Sequence, residues 1–215
     1  NGWTTFIRWF DSWAGLDTIE ESDPPRVDWL RVVPFLLMHL VCLGVVWVGW
    51  SWTALSVAAG LYLIRMFAIT AFYHRYFSHR TFKTSRWGQF LFAMLGTTAI
   101  QRGPLWWAAH HRNHHRHSDQ PGDRHSPHQQ GFLWSHVGWF TARANFRTNL
   151  QAVRDFAQFP ELCFLDRFDI VVALVLAVAV YALGTVLAAL APQLGTNGMQ
   201  LLIWGFFVSP VVLYH

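Results

Sequence analysis

Residues 32–52 read VVPFLLMHLVCLGVVWVGWSW, twenty-one consecutive residues without one Asp, Glu, Lys or Arg. As a helix rising 1.5 Å per residue, such a run covers about 30 Å, the hydrocarbon thickness of a bilayer. Lipid offers no partner to a backbone N–H or C=O, so an apolar segment of this length crosses as a helix with its hydrogen bonds closed internally. Its one histidine, His39, reads as a packed or hydrogen-bonded residue.

Three more apolar runs follow. Thr53–Tyr73 carries Arg65 as its only charge, Ile170–Ala191 carries none, and Met199–Tyr214 begins a fourth. The expected fold is an all-α membrane protein with four transmembrane helices in two hairpins and a histidine-rich helical region between them. Its segments are 1–31, N-terminal and cytoplasmic; 32–73, the first hairpin; 74–168, catalytic and cytoplasmic or interfacial; and 169–215, the second hairpin. Composition agrees: 53% of the chain is hydrophobic and 13% charged, against about 25% charged in ordinary soluble domains. Trp87–Ile100 is apolar but short, which suits a helix lying in the interface rather than a fifth span.

Between His74 and Arg167 lie twelve Lys and Arg residues, while the hairpin turns around Trp50–Trp52 and PQLGTNG carry none. The positive-inside rule therefore puts the central region of a multi-pass protein in the cytoplasm. The fifteen arginines and one lysine are scattered rather than massed, which argues against a nucleic-acid partner. Cys42 and Cys163 form no CxxC pair and read as buried thiols. The N-terminal stretch is acidic, with Asp11, Asp17, Glu20, Glu21, Asp23 and Asp28, and SDPPR (22–26) is expected to break any helix there. No signal peptide is visible. The chain opens without Met and stops within WGFFVSPVVLYH, so both ends read as cut.

Twelve histidines stand out, seven of them within 110–128. Clustered ionisable groups beside membrane spans point to function, because they are costly near lipid. HRYFSH places His74 and His79 at the end of the second run. HRNHH supplies His111, His114 and His115, which share one helical face at spacings of three and four. His74 and His79, five apart, stand about 140° apart on a regular helix, so irregular geometry must bring both inward. Neutral imidazole suits Zn, Cu, Fe and Ni alike. A ferritin-like site is excluded, since no glutamate stands three before a histidine. H-E-x-x-H, a phosphate-binding loop and a nucleophile motif are also absent.

These stretches resemble the membrane fatty acyl-CoA desaturases of the stearoyl-CoA or Δ9 type. HRYFSH is similar to their H-x-x-x-x-H box, HRNHH to their H-x-x-H-H box, and GFLWSHVGW (131–139) to their Gly-Phe…Ser-His-x-Gly-Trp segment. The resemblance implies two Fe2+ ions held by nine histidines, which use O2 and two electrons to introduce a cis double bond into a saturated acyl-CoA or related acyl chain. His74, His79, His111, His114 and His115 would be ligands. The remaining four would lie in N-x-x-x-H and second H-x-x-H-H segments beyond His215, so the 215-residue chain alone is expected to be inactive. Gln101 and Trp107 match residues lining the family's kinked acyl tunnel, and Arg143 a basic residue at the CoA head group. The animal enzymes carry Arg-Asp just before the second box, where this chain has Ala109 and His110, so a bacterial-type enzyme with another acyl carrier fits as well. His110, His117, His125, His128 and His136 are expected in supporting or surface roles, and Asp119 and Asp123 could orient ligand imidazoles. Electrons would come from a cytochrome b5, ferredoxin or rubredoxin system. The rival readings are a histidine-box hydroxylase acting on alkanes or other lipids, and a transition-metal transporter or sensor.

Overall fold

The computed structural model describes residues 2–15 and 26–215. Asp17, Glu20, Glu21, Asp23 and most of the expected SDPPR break lie outside them. The described residues are helical, with one isolated bridge between Val27 and Ala142.

Among the described residues three helices are long and apolar enough to cross a membrane: Trp29–Val48, Trp52–Ser78 and Asp169–Leu190. Asp28 caps the first, its carboxylate accepting from the Arg31 amide. Gly49, at φ +63°, ends it in a conformation that side-chain-bearing residues avoid. Ser51 then caps the second through the Ala54 amide at 3.1 Å, so Gly49–Ser51 alone separate the two helices. Trp47, Trp50 and Trp52 are exposed around it, as an interfacial aromatic belt requires. The expected fourth span is the apolar helix Gly198–Tyr214, shorter than the other three. The described residues therefore form an all-helical fold with three candidate membrane-crossing helices.

Arg65, the one charge of the apolar run Thr53–Tyr73, is fully buried. Its guanidinium donates to the carbonyls of Thr98 and Gly205 at 2.9 and 3.0 Å and to the Ser209 hydroxyl at 2.8 Å. One cation thus ties the second span to the last helix and to the loop after Arg86–Thr97, supplying the partners that lipid cannot. Arg86–Thr97, twelve residues and about 18 Å long, is too short to cross. It packs on the second span, with Phe92 stacked on Phe72 at 3.9 Å and Gln89 accepting from the Tyr76 hydroxyl.

The helix Pro104–His117 carries the second histidine box. Proline at its first position presets φ, and the cap that Gly103 lacks comes from elsewhere. Asp166, on the helix Pro160–Arg167, accepts from the Trp106 amide at 2.7 Å, from Trp13 Nε1 and from the Thr148 hydroxyl. Burial pushes its carboxyl up, and those hydrogen bonds together with Arg102 oppose the shift. The main core joins Tyr73 and Phe77 of the second span to Leu105 and Ala108 of this helix and to Val153, Phe156 and Leu162 beyond it.

Candidate metal centre

The second span changes character before its end: Trp52–Phe67 is α-helical, and Ala68–Ser78 continues as π-helix. In a π-turn each N–H reaches five residues back. The His79 amide accordingly donates to the His74 carbonyl at 3.1 Å. The five-residue spacing that separates these rings on an α-helix now brings them edge to face, 4.5 Å between centroids, and their Nε2 atoms lie 3.2 Å apart. Two nitrogens bound to one ion at about 2.1 Å, roughly 90–110° apart, would stand 3.0–3.4 Å from each other.

His111 and His115 face this pair from Pro104–His117. The His74 and His111 rings are 4.7 Å apart, His79 and His115 4.6 Å, and His111 and His115 4.6 Å. One ring nitrogen from each of the four falls within 4.8 Å of all the others. His111 Nε2 is buried without a hydrogen-bond partner from the protein, a nitrogen that an ion would satisfy. Burial first, then the neighbouring imidazoles, push the His111 pKa down to about 3. The same causes lower that of His115, so both rings offer lone pairs at neutral pH. The donor set is all imidazole, which suits iron as well as zinc or copper.

His114 is set apart from its box neighbours. Its Nδ1 lies 2.8 Å from Asp123 Oδ2, and its ring stacks on His125 at 4.2 Å. His114, Asp123 and His125 make a second group of convergent ligand atoms. Burial tends to raise the Asp123 carboxyl, but hydrogen bonds from His114 and from the Asp119 and His125 amides outweigh it and hold it below the usual range. An ionised Asp123 fixes the His114 proton on Nδ1 and leaves Nε2 free to bind a metal. Asp119 instead accepts from the Ser126 hydroxyl at 2.6 Å.

Arg112, between the ligand-type histidines, holds the two boxes together. It donates to the Ser78 and Phe77 carbonyls that close the π segment, at 3.1 and 2.6 Å, to the Ala152 carbonyl, and bidentately to Asp155. Sequence reasoning passed over Arg112, because it belongs to no spacing motif; His125, expected in a supporting or surface role, stacks on His114.

Gln101 and Trp107 line a cavity of about 160 Å³ with Trp106, His136, Trp139, Phe140 and Tyr214. Trp107 also stacks on His111 at 4.8 Å, so one indole separates cavity from histidine cluster. Arg143 is exposed, its amide bonded to the Arg26 carbonyl at 3.0 Å, and it is not among the cavity-lining residues. His110 sits beside Trp106 and Trp139, His117 bonds the Asn113 carbonyl, and His128 is exposed.

A helical membrane protein with four convergent imidazoles beside an aromatic cavity belongs to the class of membrane histidine-box proteins. The fatty acid desaturase family model matches residues 50–215, and the chain belongs to that family. It is 32% identical over 201 residues to the sn-1 stearoyl-lipid 9-desaturase of Anabaena variabilis, covering 92% of this chain and 69% of that one. It is 32% identical over 202 residues to the sn-2 palmitoyl-lipid 9-desaturase of Nostoc sp. (strain 36), covering 91% and 66%. A chloroplastic palmitoyl-monogalactosyldiacylglycerol delta-7 desaturase of Arabidopsis thaliana is 36% identical over 202 residues, covering 91% and 50%. The chain thus spans 50–69% of the length of these relatives.

Proposed function

We propose that the whole protein is an O2-dependent acyl desaturase that introduces a cis double bond, at Δ9, into a saturated acyl chain carried on a membrane lipid. The observation that carries this reading is the four-imidazole cluster separated by Trp107 from an aromatic cavity. The lipid carrier, in preference to acyl-CoA, rests on the names of the relatives, two of which are stearoyl- or palmitoyl-lipid 9-desaturases. Iron, when bound as two Fe2+ ions, supplies the oxidation of unactivated C–H bonds.

The chain's own residues do the rest. His74, His79, His111 and His115 would hold one iron, and His114, with its tautomer set by Asp123, would be a ligand of the other. Trp107 and Gln101 would hold the acyl chain in the cavity, where each buried CH2 contributes about 0.8 kcal/mol and a fixed geometry presents one carbon pair to the oxidant. Arg143 is assigned to an anionic group at the membrane surface. The reading includes a multi-pass arrangement of the segments 1–31, 32–73, 74–168 and 169–215, a cytoplasmic site, and an external electron donor of the cytochrome b5, ferredoxin or rubredoxin kind.

Expression of the whole protein in a host lacking its own desaturase tests the reading. A new unsaturated fatty acid with its double bond at carbon 9, found in lipid rather than in acyl-CoA, is the expected product. A hydroxylated product, or none despite bound iron and a competent donor, would overturn it.

A further inference from the structure

Three histidines outside both metal groups form a hydrogen-bonded line that reaches the aromatic cavity at His136. His39 comes from the first span, His136 from the π-turn Trp134–Gly138, and His215 follows the last helix. They form a chain rather than a ring. His39 Nδ1 lies 2.8 Å from the Phe35 carbonyl, which can only accept, so that nitrogen carries the proton. His39 Nε2 is then a lone pair, and His215 Nε2, 2.9 Å away, is its donor. This leaves His215 Nδ1 to accept from His136 Nε2–H at 3.0 Å. One carbonyl therefore assigns all three tautomers.

The arrangement differs from the metal cluster in a decisive way. His215 turns its two ring nitrogens to two different partners, so a single ion cannot take all three residues in this conformation. The neutral chain ends at the cavity: His136 is one of the lining residues, its Nε2 is committed to His215, and its Nδ1 is an acceptor. Burial and the flanking His39 and His136 lower the His215 pKa, so its ring is neutral near pH 7.

We propose that His136, His215 and His39 form a proton relay that takes up one proton at His136 Nδ1 and returns it there. On loading, a proton binds His136 Nδ1, the His136 Nε2 proton passes to His215 Nδ1, and the His215 Nε2 proton passes to His39 Nε2. Three N–H bonds form and two break, a net gain of one proton. The positive charge ends on His39, whose Nδ1–H faces the Phe35 carbonyl. The reverse shift delivers the proton to the cavity. The assignment rests on the desaturase reading, which gives it a purpose: R–CH2–CH2–R′ + O2 + 2 e− + 2 H+ gives R–CH=CH–R′ + 2 H2O. Both electrons come from an external one-electron donor protein, and both protons must reach oxygen in a place walled by indole and phenyl rings. The relay holds one of them in store: the proton is taken up at His136 Nδ1 before the acyl chain fills the cavity and is given back there during the reaction.

The test uses the whole protein with 15N-labelled histidine, read by solid-state NMR and by turnover. Scalar coupling between 15N nuclei across the His136–His215 and His215–His39 contacts, with His39 as the Nδ1–H tautomer, is expected. Absent couplings, or His39 as the Nε2–H tautomer, overturn the chain whatever the activity. In turnover, His39→Phe is expected to lower kcat roughly tenfold or more with KM unchanged, and to raise the solvent deuterium isotope effect and the hydrogen peroxide released per reductant consumed. His39→Gln, which keeps a hydrogen-bonding side chain but cannot relay, is expected to lose as much; wild-type turnover in that variant would make the chain a structural tie and end the proposal. A metal equivalent lost in His215→Ala while the His74 cluster stays loaded would end it too. A wild-type protein that forms no double bond would sink the desaturase reading instead, and the NMR couplings would still decide whether the chain exists.

Discussion

Arg112 puts its donors into four acceptors: the carbonyls of Phe77, Ser78 and Ala152 and the Asp155 carboxylate. A lysine reaches one or two of these from a single ammonium and has no fork to match a carboxylate. Arg112→Lys should therefore lower the melting temperature and weaken metal affinity about 10–100-fold, as loss of ligand-supporting contacts generally does; competition against a chelator measures it. His110 sets a pH dependence of predictable sign. Burial first, then Arg124 and Arg102, hold its pKa at about 3 against a usual 6.5. Below 6.5 the unfolded chain takes up a proton that the folded one refuses, so stability is full above that pH and is lost as pH falls toward 3. The slope is about 1.4 kcal/mol per pH unit while the refusal is complete, and His111 adds a loss of the same sign. Thermal midpoints of the metal-stripped protein in detergent should fall from pH 6.5 to 5, and His110→Phe should flatten that fall. At this scale the ligand boxes were legible because metal chemistry constrains their spacing. Arg112 and His110 were not, since their partners Asp155 and Trp139 lie 43 and 29 residues away by position number, and no local pattern connects them.

The second span decides whether the cluster forms at all. Apolar length predicts a helix here but not its pitch, which is why the regular 3.6-residue turn leaves His79 pointing away from His74. The π segment Ala68–Ser78 resolves this, and its causes are tertiary: Arg112 draws off the carbonyls of Phe77 and Ser78, and the Ser78 hydroxyl bonds the Tyr73 carbonyl five residues back. Gly96 fits the same element closely, since a methyl there would enter the ring of the fully buried Tyr73. Inserting one alanine after Arg75 changes the spacing from five to six and turns His79 off the shared face. Iron content should fall roughly tenfold or more with the loss of a ligand, while the same insertion after Lys83, in the exposed loop before Ser85, should be tolerated as loop insertions are. Equal iron in the two proteins would mean that the π-turn does not set the ligand geometry.

For the molecule as a whole, charge and hydrophobicity divide the chain in the same way. Twelve of the sixteen Lys and Arg residues lie between His74 and Arg167, the region that carries the histidine cluster, whereas the turns at Trp50–Trp52 and Pro192–Asn197 have none. A region with that excess of cations, flanked by candidate spans, is expected where the translocation machinery leaves positive charge, in the cytoplasm, as the proposed function has it. The apolar pattern alone could not assign sides, because hydrophobic burial is blind to direction; the arginines carry that information. The expected topology has both turns on the outer side and the cluster on the inner one. In a Cys42→Ala, Cys163→Ala background, a membrane-impermeant maleimide should label Ser51→Cys and Gln193→Cys in intact cells, and Lys83→Cys only after permeabilisation. Labelling of Lys83→Cys in intact cells would invert the orientation. Labelling of the two turn positions from opposite sides would break the hairpin arrangement itself, since Trp52–Ser78 and Asp169–Leu190 could then no longer both return the chain to the face expected for the segment 74–168.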